Sequence, residues 1–324
     1  MNALTTERGW LARHKLLLLR RFTQAAILLL FLLGPWFGIW WFKGKLNFSH
    51  TFDTLPLTDP FVLLHSLLAG HAPESRALIG VAIVLLLYWL VGGRAYCAWV
   101  CPVNPLTDGA AWLRDRLGIK GGAHFSRRTR CWILDVALLL SLLTGTLAWE
   151  AINPVSMLHR GLIFGFGAAW SIVLANVLFD VFVMQRGWCG HLCPMGACYS
   201  LIGKISLLRV ATPKRKDCDD CMDCYAVCPE PQVIRPVLKG APQVAPLILS
   251  ANCINCGRCI DVCSKDVFAF SSRFNNPRTG VAMKQVSNAR HNCTNCHVPQ
   301  VDAPPLVENS FKGEMGPAAA KAKK

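Results

Sequence analysis

The sequence predicts a polytopic α-helical membrane protein, four transmembrane helices arranged as two hairpin repeats, followed by a small cysteine-rich α+β domain. Long apolar runs fill residues 1–205, a cysteine-proline motif repeats within them, and two dense cysteine runs occupy 206–275. A polar tail, 276–324, ends in Lys321, Lys323 and Lys324. A hydrophobic fraction of 53% is too high for an ordinary soluble domain of this length.

Four segments approach the roughly 20 apolar residues a bilayer requires: 22–42, 77–91, 132–149 and 162–183, the second continuing through 92–96. Trp36, Trp40, Trp41, Trp89, Trp149 and Trp188 flank them as interface anchors. The N-terminal segment carries charges ahead of a full-length span and no small-residue cleavage site, so no cleaved signal peptide is expected.

Basic residues set the orientation. Arg8, Arg13, Lys15, Arg20 and Arg21 precede the first span, and Arg94, Arg114, Arg116, Lys120, Arg127, Arg128 and Arg130 fill the second loop. The third loop holds only Arg160. Both termini are therefore expected in the cytoplasm. The net charge of +15 does not point to nucleic acid, because the cations flank apolar segments and form no stripe interleaved with aromatics.

The repeat is R-x-(Y/W)-C-x-x-x-C-P, once at Arg94–Pro102 and once at Arg186–Pro194. Its cysteines, Cys97, Cys101, Cys189 and Cys193, should lie at one depth. They could bind a cofactor or act as redox thiols. Equally, each motif could be a structured exit from the membrane, its proline ending a helix. Cys131 and Cys198 read as ordinary small apolar residues.

Sixteen cysteines would suggest disulfides in a small secreted chain, but here they fall in tight groups. Cys218-x-x-Cys221-x-x-Cys224-x-x-x-Cys228-Pro is followed by Cys253-x-x-Cys256-x-x-Cys259-x-x-x-Cys263. This is the two-cluster pattern in which three thiolates wrap one cube and the fourth reaches the other. Two [4Fe–4S] clusters follow: one on Cys218, Cys221, Cys224 and Cys263, the other on Cys253, Cys256, Cys259 and Cys228. Zinc would favour separate C-x-x-C pairs. The cysteine-rich domain is thus expected to be ferredoxin-like, and its chemistry electron transfer.

Residues 34–38 (GPWFG), 52–60 (FDTLPLTDP), 143–150 (LTGTLAWE), 152–156 (INPVS), 187–194 (GWCGHLCP) and 221–231 (CMDCYAVCPEP) carry a resemblance. Over 1–275 the chain resembles the NapH family, the membrane quinol dehydrogenase component of the periplasmic nitrate reductase system; NosR and MauN share its general layout. The resemblance implies quinol as electron donor, drawn from the quinone pool, and a periplasmic polyferredoxin, NapG-like, as partner. Quinol oxidation releases protons, so an acceptor is needed. Glu150 is the first candidate and His159 the second, with Asp53, Asp59, His65 and His71 on the same outer side. Asp135 and Asp180 lie within apolar runs, and Asp180 could pair with Arg186.

In the tail, Cys293-x-x-Cys296-His297 is a c-type haem attachment motif, and 292–311 resembles the end of the NapB cytochrome. The charge-derived topology argues against a haem there, because such haems are attached outside. A second function class is also open: a maturation or redox-maintenance factor sending cytoplasmic electrons outward, which would give inward-facing clusters a purpose. A membrane anchor with structural clusters is the third.

Overall fold

The computed structural model describes residues 9–274 except 47, 52–54, 120, 124, 166 and 241–244, so the Cys293, Cys296, His297 motif lies outside the described residues. Helix α1 (Trp10–Phe37) spans 28 residues, with a mean hydropathy of 1.9 over its most apolar 18-residue stretch, and among the described residues it alone is long and apolar enough to cross a bilayer by itself. It begins and ends earlier than the expected 22–42 span. Gly38, at φ +73°, takes a left-handed conformation that closes the helix. The chain then forms an antiparallel sheet of β1 (Phe42–Lys45), β2 (Phe48–Thr51) and β3 (Leu55–Thr58), which no alternating pattern had announced.

Asp59 accepts a hydrogen bond from the Phe61 amide at 2.7 Å and Pro60 occupies the first turn, so α2 (Pro60–Leu68) starts at a well-formed cap. Helix α3 (Ser75–Val91) stops at Gly92, φ +126°, so the expected continuation through 92–96 does not occur. Beyond this break lie α4 (Ala95–Trp99) and α5 (Val103–Arg116). Helix α6 (Thr129–Thr144) ends on left-handed Gly145, short of the expected 149. A single turn at Ala148–Ala151 follows.

The expected span 162–183 is two helices. Asn153 caps α7 (Pro154–Phe164), which ends at Gly165, φ +83°; α8 (Ala168–Leu178) then runs into a π-helical turn at Phe179–Val183. A second π-helical turn (Trp188–Leu192) leads into α9 (Pro194–Gly203). The sequence repeat is thus a structural one. Each copy has an apolar helix, a turn bearing Arg94 or Arg186, a short helical turn with the first cysteine, and a proline-started helix after the second.

The remaining elements are β4 (Leu208–Ala211), α10 (Asp223–Val227), α11 (Arg235–Lys239), α12 (Arg258–Val262) and β5 (Ala269–Ser272), with β4 and β5 paired antiparallel. Their core joins Val210, Val233, Ile234, Val237, Leu238, Ile248 and Phe268 to Cys224 and Cys259. The two halves of the chain pack as one unit over the described residues from Trp10 onward. The Leu16 and Leu17 amides of α1 donate to buried Asp261 of α12 at 3.0 and 3.1 Å. At the turn after α3, a Cβ on Gly93 would collide with the backbone of Tyr199 and Gly203. A Gly93→Ala chain should therefore lose about 1–3 kcal/mol, read as a lower unfolding midpoint in detergent; an unchanged midpoint would show that α9 can retreat.

Large apolar side chains face outward along the helices: Phe22 and Leu29 on α1, Ile79 and Leu86 on α3, Trp132, Leu139 and Leu143 on α6, Leu174 and Leu178 on α8. Such an exposed apolar girdle exceeds what a monomer keeps in contact with water.

Candidate redox centres and a buried polar cluster

The eight cysteines of the C-terminal domain line two cavities. Cys218, Cys221, Cys224 and Cys263 share one, and Cys228, Cys253, Cys256 and Cys259 the other. That partition is the crossed assignment expected from the spacing. The two loops are built alike. Asp220 and Met222 in the first, and Asn255 and Gly257 in the second, take positive φ of 59°, 64°, 49° and 72°, at matching positions between the cysteines. Left-handed residues curl the chain back around each cavity. Cys218 Sγ lies 3.4 Å from Asp220 Oδ1, and Cys253 Sγ 3.5 Å from Asn255 Oδ1, repeating the correspondence. Burial pushes the thiols up, Cys224 to about 12 and Cys253 to about 11, so iron must displace a proton on binding. Four thiols to each chamber and matching wraps fit one cube apiece.

The cavities differ in exposure. Cys221 is exposed, amid Asp219, Asp220 and Asp223, whereas Cys256 and Cys259 are buried. The buried chamber sits against the apolar half. Ala98 packs on Ile254 and Cys256, and the Trp99 indole donates to the Asn255 carbonyl at 3.1 Å. Arg20 and Gln24 of α1 both donate to the Ala98 carbonyl, at 3.1 and 2.8 Å, holding α4 in place.

Cys97 and Cys101, flanking that contact, meet Cys193 within one buried cluster, and Cys189 lies 3.8 Å from Thr107 Oγ1 on α5. Burial raises Cys189 and Cys193, with the neighbouring thiols adding to it, so the four interact electrostatically. Backbone amides point at the second cysteine of each motif, Val103 and Asn104 toward Cys101, Met195 and Gly196 toward Cys193. Helix N-termini therefore aim positive dipole ends at both sulfurs. The motifs converge, which the bare exit-turn reading did not require.

One carboxylate joins these centres. Glu230, directly after Cys228-Pro229, is 4% exposed; it pairs with Arg94 (2% exposed) at 3.1 Å and with Arg127, and Arg130 lies 4.0 Å away. Arg94 also donates to the Asn252 and Cys189 carbonyls at 2.9 and 3.3 Å. Burial, with Arg94 alongside, pulls Arg127 down to about 10. The sequence marked these arginines only as second-loop charges and did not single out Glu230 as their partner, although an arginine opening each repeat was the available signal. His191, between Cys189 and Cys193, is held down to about 4 by burial and by Arg127 and Arg130, and so is neutral.

The two candidate proton acceptors make different contacts. Glu150 accepts from Ser156 Oγ at 2.6 Å and Asn153 Nδ2 at 3.0 Å. Buried His159 packs edge-on against Phe31 of α1, ring centroids 6.2 Å apart. Glu150 instead acts electrostatically on Asp59 and His65. Asp180 does not make the expected pair with Arg186 as its main contact. It caps the second repeat by accepting from the Trp188 amide at 2.9 Å, while Arg186 binds Asp108 at 3.3 Å.

Asp59, besides capping α2, accepts from the Tyr199 hydroxyl at 2.7 Å. Burial raises it to about 6, against the hydrogen bonds from Tyr199 and Phe61. Tyr199 stacks on Tyr96 at 5.1 Å, with Tyr88 edge-on at 5.0 Å. Phe61, Tyr88, Tyr96, Trp149 and Tyr199 share the cluster that holds Cys97, Cys101 and Cys193.

A family model described as a 4Fe-4S binding domain matches residues 76–120 and 166–215, the two repeats with Cys97, Cys101, Cys189 and Cys193. A second, described as the nitrate reductase cytochrome c-type subunit NapB, matches 247–313. The ferredoxin-type protein NapH of Haemophilus influenzae is 49% identical, covering 83% of this chain and 93% of its own length. NapH of Escherichia coli is 48% identical (83% and 94%), and the methylamine utilization ferredoxin-type protein MauN of Paracoccus denitrificans 52% (82% and 93%). No solved structure matches.

Proposed function

The chain belongs to the NapH and MauN family of ferredoxin-type electron-transfer proteins with 4Fe–4S centres, and from that premise we propose that it oxidises quinol in the bacterial inner membrane and passes electrons to a periplasmic partner supporting nitrate reduction. One observation supports the electron-transfer part of this reading: the redox-capable sites adjoin one another in series. The exposed chamber adjoins the buried one through packed α10 and α12, and the buried chamber touches α4 between Cys97 and Cys101.

Each cluster, when bound, takes up and releases one electron. The chain's own residues hold the cubes through the eight cysteines of the two chambers. They also fix the distance to the apolar half, through Trp99, Arg94 and Glu230. The paired cysteines of the repeats are the candidate third centre, a role supported by the 4Fe-4S domain match across both. A Cys97→Ser, Cys189→Ser chain would then retain both ferredoxin clusters but lose about a third of its iron if that centre is a third cube. Unchanged iron per chain in that variant would leave the cysteines as structural.

The exposed apolar girdle supports membrane residence, and the basic second loop at the ferredoxin end supports a cytoplasmic position for that domain. Nitrate is favoured over methylamine by the NapB match in 247–313, since identity to NapH and MauN relatives is nearly equal. A second reading, the maturation or redox-maintenance factor fed by cytoplasmic electrons, draws on exposed Cys221 and its surrounding aspartates, which offer a docking face for a soluble donor. Reconstitution with a NapG-like polyferredoxin separates the two. Quinol should reduce the clusters and then the partner; reduction by a soluble cytoplasmic donor but never by quinol would overturn the first.

A further inference from the structure

A cluster of buried polar atoms has no function in the electron series just described. His65 Nε2, Tyr96 Oη, Trp149 Nε1 and Thr58 Oγ1 are all buried and have no hydrogen-bond partner. Their residues are between 2% and 5% exposed. One such orphan typically costs about as much as a lost hydrogen bond, and native structures contain few. Three of them are tied to one carboxylate: Thr58 precedes Asp59, His65 lies on the helix Asp59 caps, and Tyr96 stacks on Tyr199, the partner of Asp59, while Trp149 shares the aromatic cluster of Phe61, Tyr96 and Tyr199. His65 is fixed from its other nitrogen, Nδ1 lying 2.6 Å from Ser141 Oγ on α6, and its ring meets Phe61 edge-on at 4.5 Å.

The location narrows the ligand. β3 packs along α3, where a Cβ on Gly80 would meet the Pro56 carbonyl at 2.8 Å, so the β3–α2 segment lies against an apolar helix. The walls are aromatic, and α3 and α6 present apolar side chains to their surroundings. The cluster includes Cys97, Cys101 and Cys193. A flat aromatic ring with polar substituents, arriving from an apolar phase, matches such a lining.

We propose that the Asp59, His65, Tyr96 and Trp149 cluster is the quinol headgroup site, with His65 and Tyr96 holding the ring hydroxyls and the Asp59–Tyr199 pair receiving a proton. This assignment rests on the quinol-oxidising reading. In the reaction both O–H bonds of the hydroquinone break and the ring becomes a quinone. Two electrons leave singly toward the iron–sulfur centres; one proton passes to the Asp59 carboxylate and one to His65 Nε2. Asp59, raised to about 6 by burial, is matched to proton exchange near neutral pH. Glu150, acting on both groups, is a positioning residue at the outer edge, which moves the proton-accepting role from Glu150 to Asp59.

The test uses the full chain with its clusters in nanodiscs, with a short-chain benzoquinol as reductant and the matching quinone as binding probe. His65→Leu, and separately Tyr96→Phe, should each weaken quinone binding about tenfold and slow quinol-driven cluster reduction at least as much, while dithionite reduces the clusters fully. Asp59→Asn, which keeps the cap oxygen for Phe61, should slow reduction with little change in binding. If the parent is reduced by quinol and all three variants match it in binding and rate, the site is wrong while the quinol reading stands. If the parent is never reduced by quinol, the reading fails and the site with it. Because quinone binding by His65→Leu is measured independently of the clusters, cluster loss in a variant leaves the question decidable.

Discussion

A Glu230→Ala chain is expected to lose about 3–5 kcal/mol of stability, the cost of removing one partner from a buried ionic set. Arg94 and Arg130 are nearly inaccessible to water, and without the carboxylate their charges would face each other and Arg127. The damage should be local before it is global. Arg94 ties Asn252, beside Cys253, to the carbonyl of Cys189, so the alanine chain loosens the ferredoxin half from the repeat half. Denaturant unfolding in micelles should show a lower midpoint, and limited proteolysis should cut earlier between residues 203 and 218. Glu230→Gln keeps an acceptor for Arg94 and should fall between the two. A midpoint within about 0.5 kcal/mol of the parent, the range of an ordinary surface change, would mean the arginines find other partners and the junction is dispensable.

Much of the redox apparatus was legible in the sequence because cluster ligation is written in local spacing. Three thiols two residues apart can only wrap something compact, and the crossed fourth ligand follows from reach. Cys218, Cys221, Cys224 and Cys263 line one chamber, and Cys228, Cys253, Cys256 and Cys259 the other. The boundaries of the apolar helices were less legible. Apolar runs do not reveal where a glycine turns left-handed, and Gly92, Gly145 and Gly165 each ended a helix that hydropathy would have extended. The α7–α8 break within 162–183 is the largest such difference. Glu230, Asp59 and Tyr199 were least legible. Their partners lie 136 residues away for the Glu230–Arg94 bond and 140 for Tyr199–Asp59, and single-chain patterns do not encode such long-range pairings. Glu150 was the first proton-acceptor candidate, at the outer end of the third apolar run, and its carboxylate accepts from Asn153 and Ser156, in the next turn of the chain.

Replacing Cys228 by alanine should remove the buried cluster and spare the exposed one, although Cys228 belongs to the run Cys218–Cys228. Its thiol lines the chamber of Cys253, Cys256 and Cys259, and Cys263 lines the chamber of Cys218, Cys221 and Cys224. Each run therefore holds the other in place, and losing one cluster also removes a tie between them. The energetic scale is large: binding free energy of a structural metal centre is folding free energy, on the order of 10 kcal/mol. Cys224 and Cys259 are themselves core residues beside Val237, Leu238 and Phe268, so an empty chamber leaves apolar walls without contents. Total iron should drop in both Cys228→Ala and Cys263→Ala chains, and their surviving clusters should differ. In Cys228→Ala the survivor sits behind exposed Cys221 and should be stripped quickly by an iron chelator in the aqueous phase. In Cys263→Ala the survivor sits behind buried Cys256 and Cys259 and should resist it. The opposite order would require each run to close its own cube. That would pull Cys228 out of the chamber beside Glu230 and loosen the junction between the ferredoxin-like elements and the repeat that holds Cys97 and Cys101.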